Sequence, residues 1–170
     1  RQRVPGSLKW VRVSPDGAFA LAGDGSGTSW RVDLKTGRVT DGPPVALVSA
    51  DFRRGANGNK VYDLTDPKAA PVVDSNTRDI RAFLTDDLVL DFVDGKFVVR
   101  KLGGAVVEAY PDVTHFALSP DRKHFAFVFK DATCRVYAVS PEGIQERFTL
   151  PKPEGRTNAF APSFSYTGRM

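Results

Sequence analysis

Apolar residues along this chain come in short alternating runs separated by turn-forming residues. Leu8, Trp10, Val11 and Val13 lead into Ser14-Pro15-Asp16-Gly17. In that turn Pro presets φ, Asp bonds the backbone beyond it, and Gly accepts a positive φ. Strands are expected over 18–22 and 28–34, with a loop over 23–27 and a turn at Lys35-Thr36-Gly37-Arg38. Val39-Thr40 starts a fourth strand, so the segment reads as an antiparallel meander.

The same order returns later in the chain. Strands are expected over 113–118, 124–129, 133–139 and 144–150, with turns at Ser119-Pro120-Asp121-Arg122 and Ser140-Pro141-Glu142-Gly143. Ser14 and Ser119 lie 105 residues apart, three periods of 35. Between them, 80–84, 88–93, 96–102 and 106–109 make a third unit around the turn Thr85-Asp86-Asp87. The second unit is compressed. It offers strands over 45–52 and 60–64, and the polar stretch 53–59 leaves little room, so one strand there is expected to be very short or missing.

The run Asp131-Ala132-Thr133-Cys134-Arg135-Val136-Tyr137 has weaker copies at 94–102, 27–34 and 58–64. Aligning Val32, Tyr62, Arg100 and Tyr137 gives spacings of 30, 38 and 37 residues. A period of that size marks a repeat architecture. Helical stripes are missing, and 12 Pro and 15 Gly interrupt the chain throughout. The fold class is therefore all-β. The units are expected at 8–42, 43–75, 78–110 and 113–150, with a further one starting over 157–170.

These motifs resemble those of WD-repeat and related β-propellers, including the TolB type. The resemblance rests on Ser14-Pro15-Asp16-Gly17, Ser119-Pro120-Asp121-Arg122, Asp131-Ala132-Thr133 and the tetrads Val61-Tyr62-Asp63-Leu64 and Val136-Tyr137-Ala138-Val139. It implies about four blades, each a four-stranded antiparallel meander, forming an incomplete ring. No tetrad contains a Trp-Asp pair and no unit opens on Gly-His, so the family's buried Asp-His-Ser/Thr-Trp network is not expected.

Composition narrows the function classes. With 41% hydrophobic and 26% charged residues, the chain is too apolar to be disordered. Its net charge of +4 is dispersed, with doublets at Arg53-Arg54, Arg100-Lys101 and Arg122-Lys123 read as solvated surface. No basic stripe points to nucleic acid, and no apolar run approaches the ~20 residues of a membrane helix. The single cysteine, Cys134, excludes an intrachain disulfide and favours a reducing, cytoplasmic setting.

The catalytic inventory is thin. His115 and His124 sit in strand patterns, and Cys134 falls in an apolar slot where an inert thiol is the simpler reading. Gly23-Asp24-Gly25-Ser26-Gly27 lacks the Lys-Ser/Thr ending of a phosphate loop and joins two strands. No metal-ligand spacing is present. No catalytic residue, cofactor or metal is therefore expected.

The expected function is a non-enzymatic interaction scaffold within a larger protein or complex, and the alternative is the propeller of a multidomain enzyme whose catalytic residues lie outside this chain. Expected partners are proteins, together with further blades from the parent chain or a second copy. The candidate contact residues are Arg53, Arg54, Asn57 and Asn59, read as loop residues, and Trp30, read as partly exposed.

Overall fold

A computed structural model describes residues 7–66, 71–74, 79–102, 104–140, 143–152, 154 and 161–165. The described residues contain sixteen strands and no helix. Sheet 1 comprises β1 (Trp10–Val13), β2 (Phe19–Gly23), β3 (Ser29–Asp33) and β4 (Val39–Asp41). Sheet 2 comprises β5 (Leu47–Val48), β6 (Arg54–Asn57), β7 (Lys60–Asp63) and β8 (Val73–Asp74). Sheet 3 comprises β9 (Asp79–Phe83), β10 (Leu88–Val93), β11 (Lys96–Lys101) and β12 (Val106–Tyr110). Sheet 4 comprises β13 (Val113–Leu118), β14 (His124–Phe129), β15 (Cys134–Ser140) and β16 (Gly143–Leu150). Every sheet is a four-stranded antiparallel meander whose strands pair in chain order.

The turns after the first strands explain the regularity. Ser14 Oγ donates to Asp16 Oδ1 at 2.6 Å, and Ser49–Asp51 and Ser119–Asp121 repeat the bond at 2.6 Å. In each case the same serine oxygen accepts the backbone N–H of the residue five positions on. The third residue after each serine takes a left-handed φ: Gly17 at 68°, Phe52 at 63° and Arg122 at 57°. Sheet 3 closes its turn one residue sooner: the Leu84 N–H donates to the Leu88 carbonyl four positions on, where the other turns span five, and Thr85 Oγ1 accepts the Leu88 N–H at 3.0 Å.

That shortening leaves the alignment of the third strands intact. Val32, Tyr62, Arg100 and Tyr137 each pair with the residue just beyond the closed turn: Ala20, Gly55, Val89 and Phe125. They are equivalent positions.

Sheet 2 departs from expectation in its details. Its first and last strands have two residues each, and the polar stretch supplies a strand, β6. Bulk apolar residues do not carry β6. Gly55 and Ala56 do, and a Cβ on Gly55 would stand 2.6 Å from Val45 Cγ1. The further unit expected over 157–170 lies mostly outside the described residues, and 161–165 form no strand.

Three apolar clusters join the sheets in order. Leu21, Val45 and Val48 join sheets 1 and 2. Ala56, Val61, Ile80, Phe83 and Val89 join sheets 2 and 3. A larger cluster including Leu90, Val99, Phe97, Tyr110, Phe125, Phe127 and Tyr137 joins sheets 3 and 4. Burial this complete contributes about 1.5–3 kcal/mol per large side chain.

The basic doublets are only half solvated. Strand alternation turns Arg100 inward and Lys101 outward on β11, and in the other two doublets one member is likewise half-buried. Arg53, Lys101 and Lys123 are exposed, whereas Arg54 and Arg122 are half-buried and Arg100 is buried. Arg100 Nε lies 2.6 Å from Asp91 Oδ2, and both side chains are shielded from solvent. A charge can occupy that otherwise apolar slot because its counter-ion is buried beside it.

Candidate functional site

The first strands β1, β5, β9 and β13 all contribute to the wall of one cavity of about 280 Å³. Its apolar wall includes Trp10, Phe83 and Phe116, and Arg12, Arg81 and Arg122 bring three guanidinium groups to it. No acidic residue is among the lining residues. Arg122 is fixed by backbone: its Nη1 donates to the Phe83 carbonyl at 3.3 Å and its Nη2 to the Val48 carbonyl at 3.1 Å. Burial, and then the neighbouring charge of Arg12, lower the Arg122 pKa from its ordinary value. Arg81 is ion-paired with Asp79 at 2.6 Å.

A second, more open cleft of about 520 Å³ lies between sheets 3 and 4, beside Glu108, Tyr110, Lys130, Arg135 and Glu146. Its charges are mutually compensated, with Lys130 Nζ 2.6 Å from Asp112 Oδ1. Burial and the Glu108 carboxylate, which accepts the Tyr110 hydroxyl at 2.8 Å, push the Tyr110 pKa up.

No family model and no curated protein sequence matches the chain. Solved structures do. A chain of the S. cerevisiae assembly of Dbp5 with Nup159, Gle1, IP6 and ADP superposes with a TM-score of 0.61 at 14% identity. That match covers 89% of this chain and 46% of the other. The β-propeller domain of Myceliophteria thermophila Cps50 (Swd1) superposes with a TM-score of 0.56 at 14% identity, covering 85% of this chain and 58% of that one.

The fold is a β-propeller segment. The four sheets are its blades, and the chain spans about half the length of the two solved chains it matches.

On these blades the candidate contact residues do not form one patch. Arg53 follows the β5–β6 turn, exposed and 3.5 Å from Asp51. Asn57 and Asn59 flank Gly58 at the opposite end of β6. Arg54 and Asn57 are strand residues, correcting the loop assignment. Arg54 Nη1 lies 2.5 Å from Asp63 Oδ2, and the Asn57 amide packs on Gly27 of blade 1.

Trp30 is buried, at 7% exposure, which corrects the expectation of a partly exposed anchor. It pairs across the strands with Ala22, on the face of blade 1 turned away from blade 2. The sequence reading passed over Arg12, Arg81 and Arg122 as a group. The 35-residue period matches Arg12 with Ala82 and not with Arg81, so no signal along the chain groups these arginines.

The remaining candidates have structural settings. His115 and Cys134 both pair with Val128 from opposite sides, which sets them roughly 10 Å apart by strand spacing. A hydrogen-bonded Cys–His dyad is thereby excluded. Burial pushes the Cys134 thiol pKa up, away from nucleophilic reactivity. In the Gly-rich loop, Asp24 Oδ1 accepts from the backbone N–H groups of Ser26 and Thr28 and from the Ser26 hydroxyl, so the loop satisfies itself. The described residues contain no group of three potential metal ligands, and no helix long and apolar enough to cross a membrane.

Proposed function

We propose that this segment is a non-enzymatic interaction scaffold that works by protein–protein contact inside a larger protein or complex. The observation that carries the reading is the chemistry of the two terminal blade faces. On blade 1 the row Val13–Ala20–Val32–Val39 runs across all four strands on the side away from blade 2. Val11 and Val13 are each 55% exposed there. On blade 4 the row Ala117–Ala126–Val136–Phe148 faces away from blade 3, and Phe148 and Leu150 are exposed.

Stacked repeats stabilise one another by burying such faces. The inner members Ala20, Ala126 and Val136 are buried, and the exposed apolar positions lie on the outer strands, at Val11, Val13, Phe148 and Leu150, where a neighbouring blade would extend the burial. The occupant in this reading is a further blade, from the parent chain or a second copy. Arg53, the most exposed contact candidate, supplies a charged contact to a protein partner. Asn59 adds a loop contact, while Arg54, Asn57 and Trp30 shape the surface from beneath. The free Cys134 thiol fits a reducing, cytoplasmic compartment.

Light scattering over a concentration series tests the reading. The unmodified chain is expected to self-associate, and Val11→Lys with Val13→Lys is expected to leave a monomer with an unchanged β-sheet spectrum. A chain that stays monomeric throughout would remove a second copy as the occupant of these faces.

A further inference from the structure

We propose that the cavity between the first strands of the four blades is a binding site for a small organic oxyanion, a carboxylate or phosphate carried on an apolar or aryl body. The argument begins with charge. Arg12, Arg81 and Arg122 come from three different blades and line one cavity, with no carboxylate among the described residues of its wall. Asp79 accompanies Arg81, but among the described residues Arg12 and Arg122 have no acidic partner within ion-pairing distance. Arg122 is half-buried beside apolar walls, with the exposed Arg12 adding like charge nearby, and a bound anion would relieve both penalties.

The second observation is backbone strain. Arg122 holds φ at 57°, where the equivalent position in blade 1 is Gly17. A non-glycine residue in that region is strained, and such outliers gather at ligand sites. At the corresponding place in blade 2, Phe52 offsets the cost by packing on Phe19 with ring centroids 5.7 Å apart. Arg122 is instead held by two backbone carbonyls. Each bonded Nη nitrogen retains a second N–H, and Nε–H is free of these bonds. The guanidinium is thus pre-oriented, which lowers the ordering cost of binding.

The wall chooses the rest of the ligand. Trp10, Phe83 and Phe116 give aromatic and apolar surface, and the cavity sits near the small end of ligand pockets, roughly 300–1,000 Å³. The indole N–H of Trp10 is buried without an acceptor among the described residues. A bare inorganic anion would use the arginines and leave the apolar wall uncovered.

Calorimetric titration of the intact chain with phenyl phosphate, benzoate and inorganic phosphate tests the site. Phenyl phosphate or benzoate is expected to bind at least about tenfold more tightly than inorganic phosphate, and the better of the two identifies the headgroup. Arg12→Gln is expected to weaken that binding by about tenfold or more, the usual size of a lost charged hydrogen bond. The Arg12 side chain is exposed and makes no ion pair or hydrogen bond among the described residues, so its variant is expected to keep the parent melting temperature. Arg122→Lys, which keeps the charge and loses the fork, is expected to weaken binding as well. No binding by any of the three anions, or equal binding by Arg12→Gln, overturns the proposal.

Discussion

Between blades 3 and 4, Phe97, Tyr110, Phe125, Phe127 and Tyr137 form a continuous group of rings, whereas between blades 1 and 2 the buried cluster is Leu21, Val45 and Val48. The strands follow suit, with six to eight residues in blade 4 and two to four in blade 2. One repeat plan therefore tolerates two ways of joining blades. Long strands allow aromatic interdigitation. Short ones rely on close backbone approach, at Gly55 against Val45, and on the Ser49–Asp51 turn.

The largest test of this contrast is Phe127→Ala. Phe127 is fully buried and meets five rings: Phe97, Tyr110, Phe125, Phe129 and Tyr137. Deleting it is expected to cost about 3–5 kcal/mol, read as a lower urea midpoint. A loss under about 1 kcal/mol would mean that the rings are not what holds blades 3 and 4 together.

Gly55→Ala tests the other joint. The added methyl meets Val45 Cγ1 at 2.6 Å and Leu64 Cδ2 at 3.0 Å. Overpacking there is expected to cost about 1–3 kcal/mol, and thermal melts compare it directly with Phe127→Ala. A neutral result would show that blade 2 yields where blades 3 and 4 do not.

The smallest effect is electrostatic. Hydrogen bonds from the Thr65 hydroxyl and backbone, then from Arg54, lower the Asp63 pKa to about 2. Its folded value lies below the unfolded ~3.9. The stabilisation is therefore complete above pH ~4 and is lost as pH falls through about 2. Thr65→Val is expected to move the Asp63 carboxyl titration upward, observed by NMR. Asp86 works in the opposite sense. Burial and the facing Asp51 raise its pKa, so its contribution is present at low pH and fades as pH rises through the folded value.

The same contrast explains what could be read from the chain. Blades 1 and 4 announce themselves through Ser-Pro-Asp turns, because proline fixes its own φ wherever it stands. Blade 2 uses Ser49-Ala50-Asp51-Phe52, with only the serine and aspartate chemistry retained and a phenylalanine at positive φ. Its strand β6 rests on a glycine and an alanine, so apolar alternation does not reveal it. Arg100 could be aligned correctly, yet its burial depends on Asp91 in the neighbouring strand. The cavity was out of reach because Arg12, Arg81 and Arg122 meet only after the blades assemble.

Arg122 has a consequence for how this segment unfolds. Solenoid and propeller repeats interact mainly with nearest neighbours, so blades can in principle peel away one at a time. Arg122, from blade 4, bonds a carbonyl in blade 3 and another in blade 2, across sequence separations of 39 and 74 residues. Releasing the middle of the arc breaks a bond held by its end. The side chain thus adds a next-nearest coupling to an otherwise linear chain of interactions, favouring loss of blades 2 to 4 as one cooperative unit.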